Sequence, residues 1–249
     1  MLELSLDTKV ELATSALRHG AGLFETIRIQ RGEPRWMELH LERMASGCAF
    51  LGFDSPPDIQ EVRDFLHVHG VGASMGFGVL RFIAADGRLL AFAEPLQSQP
   101  TKLANLGLSL ETVRFSGNPL NRFKTLSYLE NLRLAQEAAR RGHFDAIAPN
   151  EKGFLSDGGR TTLFAVIDGR IFTPPVADGA LPGIARRVLL DAGFAVEASL
   201  RWEDLARTEA VFLANALRGV IPAGNIEGHG SRPVDHPAFA KARECLFLS

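Results

Sequence analysis

Lys124, Asp157 and the run Leu181-Pro182-Gly183-Ile184 supply an amine, a carboxylate and a glycine-opened helix start, in that chain order. An amine condenses with an aldehyde, and a carboxylate keeps a ring nitrogen protonated. The first N–H groups of a helix hold a phosphate. A phosphorylated pyridine aldehyde would use all three.

Each segment also has an ordinary reading. Lys124, flanked by Phe123 and Leu126, would be nucleophilic if its surroundings excluded water, because burial disfavours the ammonium. A solvated lysine at a helix start fits the local sequence equally well. Asp157 lies among Ser156, Gly158 and Gly159, so it reads as an Asx-type turn residue or as a ring-nitrogen partner. Arg43 falls off the apolar stripe of its helix. It is either solvated or a planar fork for phosphate.

Periodicity places these residues on elements. Residues 23–30 alternate as a strand, with Leu23, Ile27 and Ile29 on one side and Thr26, Arg28 and Gln30 on the other. Leu41, Met44, Ala45, Cys48 and Ala49 mark a helix ended by 52–57, and Ile59, Val62 and Leu66 mark a second. Asp86-Gly87 is a hairpin signal between strands at 79–85 and 89–93. A strand is expected at 106–113, a connection at 116–119 and a helix at 126–141 stopped by Gly142. Beyond it come strands at 145–148, 162–167, 170–173, 194–200 and 210–215. Helices should open at Gly183 and at Pro237. These elements predict an α+β chain with a small domain at 1–115, a connection at 116–123 and a larger domain at 124–249.

Composition narrows the function classes. Hydrophobic residues make up 46% and charged residues 22%, and the formal net charge is -2. That balance gives no pull toward nucleic acid or an anionic membrane surface. No apolar run is long enough to span a bilayer, and acids stand where a signal peptide carries positive charge. Two cysteines, Cys48 and Cys245, make a disulfide framework an unlikely reading and a reducing cytoplasm the simplest home. His67 and His69 read as surface histidines without partners for a metal. The glycine-rich 70–78 lacks the Gly-Lys-Ser/Thr ending of a nucleotide loop.

Taken together, the motifs resemble the class IV, or fold-type-IV, pyridoxal 5'-phosphate (PLP) enzymes, a family of branched-chain and D-amino acid aminotransferases and aminodeoxychorismate lyases. His19-Gly20-Ala21-Gly22-Leu23-Phe24-Glu25-Thr26-Ile27-Arg28 looks like the family's first strand, and His40-Leu41-Glu42-Arg43-Met44 like its phosphate-arginine helix. Phe123-Lys124-Thr125-Leu126-Ser127-Tyr128-Leu129 looks like the lysine segment, and 181–186 like the phosphate turn. The resemblance implies a two-domain fold like that of D-amino acid aminotransferase, with the cofactor between the domains, and a homodimer. It implies PLP bound by Lys124, Arg43, Tyr128 at the phenolic oxygen, Asp157, the backbone of Gly183, Ile184 and Ala185, and the Asn215-Ala216 segment. The chain departs from the family in Asp157 for the usual Glu, Ala185 and Ala216 for Thr, and Thr162 for Asn. Phosphate binding would then rest on backbone groups and Arg43.

Within the family, three features are similar to the lyases: the 212–222 segment, Thr26 as a second catalytic residue, and Asp86 near the position of an aminotransferase carboxylate-binding arginine. They imply a 4-amino-4-deoxychorismate lyase releasing pyruvate and 4-aminobenzoate for folate synthesis, fed by an aminodeoxychorismate synthase. Thr26 and Arg218 are expected on the substrate, with Arg28, Arg81 and Arg160 as further candidates for its carboxylates. The alternative is an aminotransferase for branched-chain or D-amino acids.

Overall fold

The computed structural model describes residues 1–7, 14–96 and 103–247. Two compact units divide the chain: Met1–Gln99 with Phe123–Tyr128, and Pro100–Arg122 with Leu129–Ser249.

The first unit contains β1 (Glu3–Ser5), α1 (Ser15–His19), β2 (Leu23–Gln30), β3 (Glu33–Pro34), α2 (Met37–Leu51), α3 (Ile59–Val68), β4 (Phe77–Ala85) and β5 (Arg88–Pro95). Its sheet runs β1-β5-β4-β2-β3. The expected alternation along β2 holds: Leu23, Glu25, Ile27 and Ile29 are buried, while Phe24, Thr26, Arg28 and Gln30 are half-buried. The buried row meets Leu41, Met44 and Cys48 of α2 and Val62 and Leu66 of α3 in one apolar core. Asp86 and Gly87 both adopt positive φ, which matches the hairpin twist their sequence signalled.

The second unit contains β6 (Ala104–Leu108), α4 (Leu129–Arg140), β7 (Asp145–Pro149), β8 (Leu155–Gly158), β9 (Thr162–Ile167), β10 (Arg170–Thr173) and α5 (Ile184–Asp191). It is completed by β11 (Val196–Glu197), β12 (Ala210–Asn215), β13 (Gly219–Ile226), β14 (Gly230–Ser231) and α6 (Pro237–Phe247). Its sheet runs β11-β10-β9-β12-β13-β6-β7-β8, with β14 beside β13. Strand β9 is buried along its whole length, as a strand covered on both faces must be.

Several boundaries differ from the sequence expectation, each for a local reason. The strand expected at 106–113 stops at Leu108, because Glu137 of α4 accepts bonds from the Ser109 hydroxyl and the Leu110 amide. The helix expected at 126–141 begins at Leu129, because the residues before it bond to the first unit's sheet edge. The strand expected at 194–200 shrinks to Val196–Glu197. Asp157 lies within β8, not in a turn. The same pairing moves the division between units. Strand β6 pairs with β13 and β7, while Thr125 bridges to Leu23, so 123–128 group with the first unit.

Gly159 shows how tightly α4 lies on the segment after β8. A Cβ there would stand 2.7 Å from the Asn131 carbonyl oxygen and 2.8 Å from the Ala135 nitrogen, both backbone atoms of α4. Gly159→Ala should therefore destabilise the protein by about 1–3 kcal/mol, since overpacking against backbone cannot relax by a rotamer change. Urea unfolding measures this, and an unchanged midpoint would contradict it.

Candidate active site

The lysine segment is built by backbone geometry. The Phe24 amide donates to the Lys124 carbonyl at 2.9 Å, and the Leu126 amide donates to the Gly22 carbonyl at 2.9 Å. Gly22 makes the approach possible, since a Cβ there would sit 2.5 Å from Leu126 Cδ1 and 3.0 Å from the Ala84 carbonyl oxygen. The Lys124 side chain is thereby placed beside the half-buried row of β2. Its Nζ lies 4.2 Å from the Phe24 ring centroid and 4.5 Å from that of Tyr128. Nζ also donates to the Tyr128 hydroxyl at 3.3 Å. Phe24 and Tyr128 meet edge to face at 5.0 Å, which fixes both rings.

Thr26 follows Phe24 on the same strand row, and its β4 partner in register is Arg81. Arg81 Nη1 donates to Thr26 Oγ1 at 3.5 Å, while its Nε and Nη2 hold Glu94. Phe24, Arg81, Leu126 and Tyr128 line a cleft of about 250 Å³. A lysine amine, a phenol, a threonine hydroxyl and a guanidinium thus belong to one sheet face and its edge.

The opposite row of β2 carries a charge cluster that sequence reasoning missed. Glu25 is buried, and its carboxylate accepts from Arg43 Nε at 2.8 Å, Arg43 Nη2 at 2.6 Å and His40 Nδ1 at 2.6 Å. Burial pushes the Glu25 carboxyl up, but the Arg43 charge and the His40 contact outweigh it and hold it at about 2. Burial pushes His40 down, and the Arg43 and Lys124 charges add to that against the pull of Glu25. His40 is accordingly neutral near pH 7 with its proton on Nδ1, the only arrangement in which it donates to an ionised carboxylate. Arg43 is not the solvated helix residue its position off the apolar stripe allowed; its side chain is 10% exposed.

In the second unit, Asp157 is buried and both its oxygens are engaged. Oδ1 accepts from Arg114 Nη1, and Oδ2 accepts from the Leu181 amide at 2.9 Å. Arg114, itself buried, also donates through Nε to Glu130 at 2.6 Å. The acid expected at the ring nitrogen is therefore bonded directly to the turn expected at the phosphate. Asp145 fixes the turn that follows: its carboxylate accepts from the amides of Ala146, Gly159 and Arg160 and from the Thr161 hydroxyl.

Gly183 stands at the N-cap of α5 with no side-chain cap bond, and Ile184 and Ala185 behind it are buried. A Cβ at Gly183 would meet Thr162 Oγ1 at 3.2 Å, a tight contact that a larger residue could make only if the Thr162 side chain gave way. Asn215 is committed to its own turn: Oδ1 accepts from the Leu217 and Arg218 amides, and Nδ2 donates to the Arg160 carbonyl. Ala216 and Arg218 lie in that turn between β12 and β13. The Arg160 and Arg218 guanidiniums lie 5.5 and 6.0 Å from the Phe144 ring centroid. Among the described residues, no cluster of His, Cys, Asp or Glu could hold a metal ion, and His67 and His69 are exposed.

These residues fit PLP. Lys124 offers the amine and Tyr128 a hydroxyl beside it. Arg43 offers a guanidinium held by Glu25 in the same unit, and the second unit by itself offers the Asp157 carboxylate and, at α5, a helix start with no side-chain cap. The missed residues Glu25, Arg114 and Asp145 are the supports of these groups. A glutamate on the buried row of an alternating strand was the one legible signal among them.

Comparison with known proteins agrees. Residues 22–226 match the family described as amino-transferase class IV. The chain is 35% identical over 252 residues to the branched-chain-amino-acid aminotransferase of Salmonella typhimurium, covering 89% of this chain and 81% of that one. It is 24% identical over 230 residues to the aminodeoxychorismate lyase of Bacillus subtilis, covering 84% and 78%. Its fold superposes on a hypothetical aminotransferase from Mycobacterium tuberculosis in a PLP-bound form with a TM-score of 0.84, at 20% identity over 97% and 94% of the chains. The chain is a member of the class IV aminotransferase family, an enzyme whose cofactor is pyridoxal 5'-phosphate.

Proposed function

We propose that this enzyme is a lyase that cleaves 4-amino-4-deoxychorismate to 4-aminobenzoate and pyruvate. The observation that carries the reading is the pairing of Thr26 with Arg81 in register on the face of β2 where Lys124 stands. Cleavage releases an enolpyruvate that must gain a proton on carbon, and a hydroxyl near the lysine can deliver it. The substrate also carries carboxylates, for which a guanidinium on the same face is suited.

When bound, PLP draws electrons from the substrate's amine-bearing carbon. Lys124 takes the proton from that carbon, and the faces of Phe24 and Tyr128 steady the ammonium that results. Tyr128 directs Nζ through its hydroxyl. Asp157, with one oxygen on Arg114 and the other on the Leu181 amide, is the carboxylate that would partner the ring nitrogen of the bound cofactor. As the bond between the ring carbon and the enolpyruvyl oxygen breaks, the proton held on Lys124 is relayed through the Thr26 hydroxyl to the methylene carbon of the departing enolpyruvate, which leaves as pyruvate, and Arg81 orients its carboxylate. Aromatisation drives the reaction forward, so the protein's task is the first proton transfer and orientation.

A second reading, an aminotransferase for branched-chain or D-amino acids, is favoured by the 35% identity to a branched-chain enzyme. We place the enzyme in the cytoplasm as a homodimer, the usual state of its family, with an aminodeoxychorismate synthase supplying the substrate.

PLP-loaded protein given 4-amino-4-deoxychorismate should release pyruvate and 4-aminobenzoate in equal amounts. Thr26→Val should lower kcat by about 10²-fold or more with little change in KM, the size expected for loss of a positioned proton donor. Transfer of an amino group from leucine or D-alanine to 2-oxoglutarate, with no pyruvate from aminodeoxychorismate, would select the second reading. Light scattering should give twice the chain mass, and a monomer at micromolar concentration would contradict the dimer.

A further inference from the structure

We infer that Glu25 is a positioning residue for the cofactor phosphate, acting through Arg43. The inference rests on the assignment of Arg43 to that phosphate.

The geometry is a two-point fork. Arg43 Nε meets Oε1 and Nη2 meets Oε2, so the guanidinium plane is fixed by the carboxylate plane. His40, three residues earlier on the same helix face, holds Oε2 from a second direction. Gly47 lets α2 lie close enough for these bonds, since a Cβ there would stand 2.8 Å from both Leu23 methyls.

Stability alone does not account for a carboxylate in this place. Buried ion pairs contribute little over apolar residues of similar volume, because desolvation offsets attraction. Glu25 lies between Leu23 and Ile27 on a row where an apolar side chain would suit the core. What the pair supplies is orientation. A long arginine side chain loses rotamer entropy when it is ordered, and a guanidinium already fixed loses less of it on gripping an anion. The competing effect has the opposite sign: Glu25 also neutralises Arg43, and if that dominated, removing the carboxylate would tighten phosphate binding. The observed fork favours orientation.

Glu25 should also leave an acid signature. Its carboxyl is held at about 2, below the ordinary 4.5. The stabilisation is thus fully present above pH 4.5 and is lost as pH falls through about 2. Arg43 and His40 are the titratable groups in contact with the carboxylate. The stability gap between wild type and Glu25→Gln in urea unfolding should therefore narrow from pH 5 to pH 2. A gap independent of pH would contradict an ionised Glu25.

The deciding experiment compares PLP with pyridoxal, which lacks the phosphate, by equilibrium dialysis on wild type, Arg43→Ala, Glu25→Gln and the double variant. Arg43→Ala should weaken PLP about tenfold or more and pyridoxal less than about twofold, a loss of roughly one charge-assisted bond. Glu25→Gln should weaken PLP selectively in the same way, and the double variant should be no worse than Arg43→Ala alone. Should Glu25→Gln fail to fold, Glu25→Asp keeps the charge but draws the carboxylate back by one methylene from the two Arg43 nitrogens, and the same selective loss is expected. Equal losses for both ligands, or tighter PLP binding in the Glu25 variants, overturn the positioning role. An unchanged PLP preference in Arg43→Ala overturns the phosphate assignment beneath it.

Discussion

Two backbone hydrogen bonds hold the position on which the site depends, Phe24 to Lys124 and Leu126 to Gly22. They join residues 124–126 to the edge of the first unit's sheet, although the chain on either side of 123–128 belongs to the second unit. Side chains at the end of a strand point by the strand's own parity. Lys124 is therefore aimed by the same alternation that sets Phe24 and Thr26 apart from Glu25 and Ile27. The small residues Gly20 and Gly22 make room for this segment, and larger ones would push it off the sheet.

Around that frame, charge is placed where it cannot relax. Each unit holds a buried carboxylate against a buried or nearly buried arginine, Glu25 with Arg43 and Asp157 with Arg114. Such pairs add little net stability, yet removing one partner costs about 3–5 kcal/mol because the other is left uncompensated. They are better understood as orientation devices. One fixes a guanidinium and the other fixes a carboxylate. The Leu181 amide extends the second pair to the start of α5, so the acid and the turn cannot shift independently. The shorter Asp at this position is matched by that direct bond to the turn.

Much of this was legible in the sequence where periodicity is strict. The alternation at 23–30, the Asp86-Gly87 hairpin and the glycine at the start of α5 each follow from local geometry. The extent of α4 was not legible, because 126–128 have helical composition but tertiary pairing with Gly22 decides their conformation. Asp157 read as a turn because β8 is only four residues long and flanked by glycines. Glu25 stands inside the first-strand motif, where no spacing assigns it a role. Its parity placed it inside, and a buried acid demands a partner, but the partner lay on α2 and no spacing rule connects the two. Arg114 gave no signal, since its companions Glu130 and Asp157 meet it only through tertiary structure.

The account stands on the side chain at position 124. Borohydride reduction of PLP-loaded protein, followed by peptide mass mapping, reads that position directly. A pyridoxyl group on Lys124 is the predicted result. A label on another lysine, or none on loaded protein, would contradict the account.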